Sequence, residues 1–179
     1  MAWLDEELER LFAPDYLQNL HERSLDDLRV MRAECNKAET AVSYLRRVAQ
    51  GRLDIVHTVL ERSNTGSAEL ADLVEELPAI IGGGPPRPAG YGRLPAQMSP
   101  DVEVADLTSE IDDVLDVSLI AELPDMDEGR LRAIAEQLIE IEGRISQQRR
   151  SLHERIDAVQ AEIVSRYKSG QASPDGLLT

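Results

Sequence analysis

The chain has 179 residues, of which 30% are charged and 3% aromatic, a composition typical of long helices or a coiled coil rather than of a domain with a deep core. A net charge of −15 argues against general nucleic-acid binding, which needs a basic surface. The single cysteine, Cys35, excludes an intramolecular disulfide and a cysteine-rich metal site. No apolar run reaches the roughly 18 residues of a membrane span, and the acidic start lacks the order of a signal peptide, so a cytoplasmic protein is expected.

Residues 1–23 read as a short amphipathic arm with its large apolar side chains at helical spacing. Such side chains are typical anchors of a helix that binds in a groove of another protein. We therefore predict partner contacts from this arm, at Trp3, Leu8, Leu11 and Phe12. The alternative is that the arm folds back on the rest of the chain as a local cap.

Residues 24–63 predict a first long helix. Ser24 is suited to the N-cap, with Asp26 and Asp27 in the first turn, where the helix dipole favours negative charge. A heptad pattern, which is typical of a coiled-coil seam, then runs through Leu28, Met31, Cys35, Ala38, Val42, Leu45, Ala49, Arg52, Val56 and Val59. An isolated helix would leave this seam in water, so the helix needs a partner.

Residues 64–126 predict a flexible acidic connector with a net charge of −11. A short helix is expected at 68–77, and the glycine and proline density of 82–100 predicts a mobile linker. The apolar spacing of 101–123 is typical of a short helix that folds on binding. Because the charge excess lies here, a partner with a basic surface is one interpretation and simple solubility is the other.

Residues 127–168 predict the second long helix, capped by Asp125 or Asp127 and followed by a tail at 169–179. Its heptad positions are Leu131, Ile134, Leu138, Ile141, Ile145, Gln148, Leu152, Arg155, Val159 and Glu162. The predicted fold is therefore all-α: a long antiparallel two-helix coiled coil, or hairpin, with a short N-terminal helix. The connector is long enough to close the hairpin within one chain, so a monomer is expected.

A shift of 103 residues superposes polar side chains of the two long helices. The first helix carries Glu39, Ser43, Arg46, Gln50 and Asp54, and the second carries Glu142, Ser146, Arg149, His153 and Asp157. At about 100° per residue each set lies within an arc of about 80° and forms one stripe. A merely solvated face varies freely in residue type, so the duplicated stripe predicts a binding site.

The side chains of each stripe suit a guanine nucleotide. Arginine matches the O6 and N7 acceptors of guanine, a carboxylate matches its N1–H and N2–H donors, and Ser and Gln can bind phosphate or ribose. The neighbouring Arg47 and Arg150 are expected to neutralise phosphate. Two matched helices folded back on each other are related by an approximate two-fold axis, and cyclic di-GMP is a ligand with that symmetry. Two roles are open for Arg52 and Arg155. In one, the aliphatic part of the side chain lies along the seam and the guanidinium reaches water; in the other, the guanidinium is a further phosphate contact.

The twin stripes E39-TAV-S43-YL-R46-RVA-Q50-GRL-D54 and E142-GRI-S146-QQ-R149-RSL-H153-ERI-D157 resemble the E-x3-S-x2-R-x3-Q-x3-D signatures of RsiG, a family of actinobacterial anti-sigma factors. The resemblance implies an antiparallel coiled coil that holds two molecules of cyclic di-GMP. It also implies that the loaded form sequesters WhiG, a sporulation sigma factor. His153 departs from the glutamine of the signature, and its charge near pH 6.5 would make ligand affinity pH-dependent.

No catalytic residues and no metal ligands emerge, because the three histidines are scattered over unlike contexts and show no ligand spacing. We therefore expect a regulator rather than an enzyme, with no direct DNA or membrane contact. Two other functions stay open at this point. One is a structural coiled-coil adaptor that needs no ligand, and the other is a coiled-coil protein that binds RNA polymerase directly.

Overall fold

The computed structural model describes residues 2–65 and 104–170, and all regular structure there is helical. The α-helices are α1 (Ala2–Phe12), α2 (Leu25–Thr65), α3 (Val104–Val114), α4 (Val117–Glu122) and α5 (Glu128–Lys168), and 3-10 turns occupy Leu20–Glu22 and Leu123–Asp125. The predicted all-α class is confirmed. The predicted helix at 68–77, the linker at 82–100 and most of the tail lie outside the described residues.

Both long helices begin at the predicted caps. The hydroxyl of Ser24 accepts a hydrogen bond from the backbone of Asp27 at 3.1 Å, and the Asp27 carboxylate accepts one from the backbone of Ser24 at 3.2 Å. This reciprocal pair satisfies two helix-end donors, as in a capping box. At the second helix the Asp127 carboxylate accepts from the backbone of Arg130 at 3.0 Å, so Asp127 is the cap.

The heptad positions form the buried seam. In α2 every apolar heptad position is buried, from Leu28 to Val59, and in α5 the same holds from Leu131 to Val159. The polar heptad residues Gln148, Arg155 and Glu162 are only partly buried. Burial therefore follows the 3-4 spacing, because only those positions face the partner helix.

The chain divides into two compact units. The first contains Met1–Val42 and Gln147–Thr179, and in it the first part of α2 packs against the last part of α5. Arg29 donates to the Tyr167 hydroxyl at 2.7 Å, and Arg32 donates to Gln160 at 2.6 Å. Partner numbers fall as α2 numbers rise, so the helices are antiparallel here. The core of this unit contains Leu28, Met31, Val159 and Ile163, flanked by Tyr16, Leu17, Leu20, Leu25 and Tyr167.

The second unit contains Ser43–Ser146, with the last part of α2, the helices α3 and α4 and the first part of α5. Arg46 donates to Ser146 at 2.9 Å, and Gln50, one turn later, donates to Glu142 at 3.0 Å. The long helices are therefore antiparallel in this unit too. In both units the pairing joins two segments of the same chain.

Part of the segment predicted as a connector is helical. Residues 104–125 contain α3, α4 and a 3-10 turn, whereas the sequence predicted a flexible connector over 64–126 with a short helix at 101–123 that folds only on binding. The physical reason is burial: Leu107, Ile111, Leu115 and Leu123 are each at most 2% exposed. These four side chains give the segment enough apolar contact to stay ordered without a partner protein.

The internal repeat extends beyond the long helices. A shift of 103 residues carries the bounds of α2 onto those of α5 and the first 3-10 turn onto the second, while α1 and α3 match within one residue. Leu4 and Leu8 correspond to Leu107 and Ile111, and all four are buried. The arm at the start of the chain and the segment at 104–114 are thus equivalent short helices, each followed by a 3-10 turn and a long helix, with α4 added between α3 and the second turn.

In the ranges 2–65 and 104–170, no helix has a stretch apolar enough to cross a lipid bilayer. Charged side chains recur along both long helices, and these interrupt every apolar run before it could match the thickness of a bilayer. In the same ranges no three His, Cys, Asp or Glu side chains gather in a way that could hold a metal ion.

Cys35 provides a test of the first unit. Its side chain is fully buried in the seam, its sulfur lies 3.6 Å from the Tyr16 hydroxyl, and burial raises the pKa of the thiol. Because the thiolate is the reactive form, we expect the folded protein to react with an aromatic disulfide reagent at least about tenfold more slowly than the urea-unfolded chain. Equal rates would show that the seam around Cys35 is open.

Candidate functional site

A cluster of polar side chains lies between α2 and α5 in the second unit. The Oε1 atom of Glu142 is 3.1 Å from Nε of Arg46, 3.0 Å from Nε2 of Gln50 and 2.9 Å from Oγ of Ser146. Nε of Arg46 also donates to Oγ of Ser146 at 2.9 Å. The carboxylate is thus the central acceptor, and the arginine reaches it from the opposite helix.

An equivalent cluster lies in the first unit. The Oε1 atom of Glu39 is 3.1 Å from Nε of Arg149 and 3.3 Å from Nε2 of His153. The Arg–Glu distance is the same as in the second unit, and His153 occupies the place that Gln50 has there. The histidine adds charge to this ion pair only when it is protonated.

The two clusters combine the stripes differently from the prediction, in which each helix supplied one half of the site. Glu142 and Ser146 come from the beginning of the second stripe, whereas Arg46 and Gln50 come from the end of the first. Antiparallel helices bring the beginning of one stripe beside the end of the other. Each cluster therefore requires both helices, and the assignment of each stripe to one half of a ligand site stays a prediction.

Some of the predicted site residues lie outside these clusters. Asp54 and Asp157, the last residues of the two stripes, are exposed, and neither carboxylate contacts a polar side chain in the part of the chain that the structure describes. Arg47 and Arg150 are also exposed, and Nε of Arg47 donates to the Ser43 carbonyl at 3.2 Å. Their predicted contacts with phosphate or guanine stay predictions.

The arm residues divide between the interior and the surface of the first unit. Leu8 and Leu11 are 4% and 0% exposed, which favours the alternative that α1 folds back as a local cap. Trp3 is partly buried, with the ammonium of Lys37 4.8 Å from its ring centroid. Phe12 is partly buried as well. Contact of the two aromatic side chains with a partner stays a prediction, whereas the two leucines face the chain itself.

Arg52, at a polar heptad position, binds the end of α3 in the second unit. Its guanidinium donates to the Leu115 carbonyl and forms an ion pair with Asp112. Burial of the Asp112 carboxyl opposes ionisation, but hydrogen bonds from Thr108 and Arg52 lower its pKa overall. Neither of the predicted roles for Arg52, a head in water or a phosphate contact, describes this contact.

Arg155 has the corresponding place in the first unit, at the end of α1. It donates to the carbonyls of Leu11 at 2.7 Å and Phe12 at 3.4 Å, and its guanidinium lies 4.7 Å from the centroid of the Phe12 ring. A cation beside the last carbonyls of a helix is favourable because those groups lack helical donors. This role of the two arginines was not predicted, although their 103-residue spacing was a signal.

Duplicated ion-pair clusters on paired long helices, with the equivalent short helices α1 and α3, define a coiled-coil protein with a repeated polar motif. A family model described as RsiG-like matches residues 14–81 and 120–179, more than half of the chain. The chain therefore belongs to the RsiG-like family. Membership indicates an anti-sigma factor, a regulator with a sigma factor as its partner. A search of the curated proteins finds no match to this chain.

Proposed function

We propose that this protein is an anti-sigma factor that binds cyclic di-GMP between α2 and α5, and that its loaded form sequesters a WhiG-type sigma factor. The observation that carries the proposal is the cross-helix Arg–Glu pair, which occurs once in each unit with the same 3.1 Å distance. Each carboxylate is also approached by Gln50 or His153 at equivalent positions. One ligand at each cluster gives two molecules per chain.

The chemistry of each cluster supports a guanine. The base offers O6 and N7 as acceptors and N1–H and N2–H as donors, so it is matched by a guanidinium and a carboxylate held close together. Arg46 and Glu142 form such a pair, and Arg149 and Glu39 form the other. The flat guanidinium can also stack on a purine ring. Arg47 and Arg150, on the exposed surface beside the clusters, supply charge for phosphate.

Rearrangement of these ion pairs costs little. The side chains of Arg46 and Glu142 are 34% and 22% exposed, and those of Arg149 and Glu39 are 38% and 20% exposed. Ion pairs this open contribute about 0–1 kcal/mol each, so a ligand that offers charge-assisted hydrogen bonds can replace them. Because each cluster joins two helices, a bound nucleotide would fix their separation and favour one surface for the sigma factor, as linkage requires.

The first experiment is calorimetric titration of the full chain with cyclic di-GMP, with cyclic di-AMP as the control ligand. We expect heat with a stoichiometry near two for the guanine ligand and none for the adenine ligand, because adenine lacks the O6 acceptor and the N1–H donor. The second is capture of a WhiG-type sigma factor, which we expect only when cyclic di-GMP is present. Absence of heat with cyclic di-GMP would refute the proposal.

A structural adaptor that needs no ligand is the second candidate. It is favoured by one observation: both Arg–Glu pairs already satisfy each other across the helices without a ligand. In that case lysine at positions 46 and 149 would keep the charge and leave the pairing of the helices and the capture of a partner unchanged. For a guanine site the same replacement removes the bidentate fork and is not conservative.

A further inference from the structure

The short helices α1 and α3 each contact both long helices. In the first unit, α1 contacts α5 through Arg155 and contacts α2 through Lys37, which lies over Trp3, and through Glu34, which is 3.0 Å from Arg10. A helix held on two neighbouring elements at once favours one distance between them. The position of α1 is therefore tied to the separation of α2 and α5 in this unit.

The second unit repeats this arrangement with different residues. There α3 contacts α2 through Arg52, which binds Asp112 and the Leu115 carbonyl, and contacts α5 through an ion pair between Glu110 and Arg144. The feature common to both units is one arginine, Arg52 or Arg155, at equivalent positions 103 residues apart. Each binds backbone carbonyl oxygen at the end of a short helix. The ion pair that joins the short helix to the other long helix lies at different positions in the two units.

The short helix and the polar stripe lie on opposite sides of the seam. With Glu39 taken as zero and about 100° per residue, the seam residues Val42 and Val56 point to about 300° and 260°. Arg52 points to about 220°, whereas the stripe spans about −20° to 60°. The same angles apply to α5 by equal spacing. Because the Arg52 guanidinium binds α3 on the other side of the seam, we expect it to affect the stripe through the separation of the long helices.

We propose that Arg52 and Arg155 are positioning residues for the nucleotide clusters: by holding α3 and α1 across the long helices, they set the helix separation that the nucleotide needs. This inference rests on the proposed function. Linkage makes the effect reciprocal, so nucleotide binding also stabilises the docked short helices. A bound nucleotide would therefore increase the extent to which α1 and α3 are docked on the long helices.

Trp3, the only tryptophan in the chain, reports the docking of α1. We expect Arg155→Gln to shift Trp3 emission to longer wavelength and to increase its quenching by acrylamide, because α1 loses its contact with α5. Arg52→Gln is the matched control for this signal, since Arg52 binds α3 in the unit that does not contain Trp3. In the wild type, cyclic di-GMP should reduce the quenching of Trp3.

If Arg52 and Arg155 had a purely local role, their replacement would leave nucleotide affinity unchanged, so the affinity is the second quantity to measure. Coupling between two sites commonly changes affinity by about 5- to 150-fold, so we expect Arg52→Gln and Arg155→Gln each to weaken cyclic di-GMP binding by about fivefold or more. Arg132→Gln, at an exposed arginine of α5, should leave the affinity unchanged. Arg155→Lys keeps the charge without the fork and should give an intermediate affinity, and it serves if circular dichroism shows that Arg155→Gln is unfolded.

The outcomes separate the two proposals. Wild-type affinity in both glutamine variants, with Trp3 released in Arg155→Gln, would overturn the positioning role while leaving the nucleotide site in place. Unchanged Trp3 emission in Arg155→Gln would overturn the docking role itself. A wild-type chain that binds no cyclic di-GMP would overturn the proposed function and the linkage together, and the Trp3 signal would still show whether Arg155 docks α1.

Discussion

Replacing Arg46 and Arg149 together by alanine is expected to abolish binding of cyclic di-GMP at micromolar concentration. Each substitution removes the guanidinium from one cluster, and loss of one bidentate guanine contact costs about 1–3 kcal/mol. The change also leaves Glu142 and Glu39 without the arginine that faces them at 3.1 Å, so their negative charge would repel the O6 and N7 acceptors of guanine. Calorimetric titration of the variant measures the loss directly.

The single variants make this prediction sharper. Arg46→Ala affects only the cluster of the second unit and Arg149→Ala only that of the first, so each should lower the measured stoichiometry by about one rather than abolish binding. Arg132→Ala, which breaks an exposed ion pair with Glu128, is the control and should bind as the wild type does. If the double variant bound cyclic di-GMP with wild-type affinity, neither arginine would belong to the nucleotide site.

Replacing Leu28 by alanine is expected to lower the free energy of unfolding by about 2–5 kcal/mol. Leu28 is fully buried and packs in the core of the first unit with Met31, Val159 and Ile163. Its loss removes apolar burial and leaves a cavity between α2 and α5, which surrounding side chains fill only partly. Urea unfolding followed by circular dichroism at 222 nm measures the change.

Val30 offers a matched control for that experiment, two residues along the same helix. It is 56% exposed, so Val30→Ala should change the free energy of unfolding by no more than about 0.5 kcal/mol. The comparison separates burial from any general effect of shortening a side chain in α2. A large loss for Val30→Ala, or a small one for Leu28→Ala, would mean that the seam is not where the structure has it.

The long helices were predictable because their signals are local. Heptad spacing and capping residues lie within a few positions of each other, and they predicted helices at 24–63 and 127–168, against observed bounds of Leu25–Thr65 and Glu128–Lys168. The antiparallel pairing followed from chain connectivity. A heptad pattern remains recognisable when the sequence changes, since any apolar residue at a seam position maintains it.

The contacts of the seam arginines with the short helices were not predictable in the same way. Arg52 and the Leu115 carbonyl are 63 positions apart, and Arg155 and the Leu11 carbonyl are 144 apart. A backbone carbonyl carries no side-chain signal, so an arginine that binds one looks in sequence like any arginine that reaches water. Within the predicted connector, a short helix was expected at 101–123 as one that folds on binding a partner, whereas the structure packs it in the second unit.

The residues of the polar clusters were easier to predict from the sequence than the pairs that these residues form. Repetition at 103 residues predicted Glu39, Arg46, Glu142 and Arg149 as ligand-binding residues, and the structure joins these four in two cross-helix ion pairs. The exchange of partners between stripes could not be read from spacing alone, since it depends on the register of two antiparallel helices. The contributions of Asp54 and Asp157 stay predictions, because only a bound ligand would show what their exposed carboxylates recognise.

The pairing of two long antiparallel helices makes the polar clusters sensitive to a deletion within either helix. Removing a single residue between Glu39 and Ser43 would rotate everything after it in α2 by about 100° and draw it back by about 1.5 Å. Arg46 would then point away from Glu142, while Glu39, before the deletion, would still face Arg149. Genetic variants of that kind should lose one cluster and keep the other.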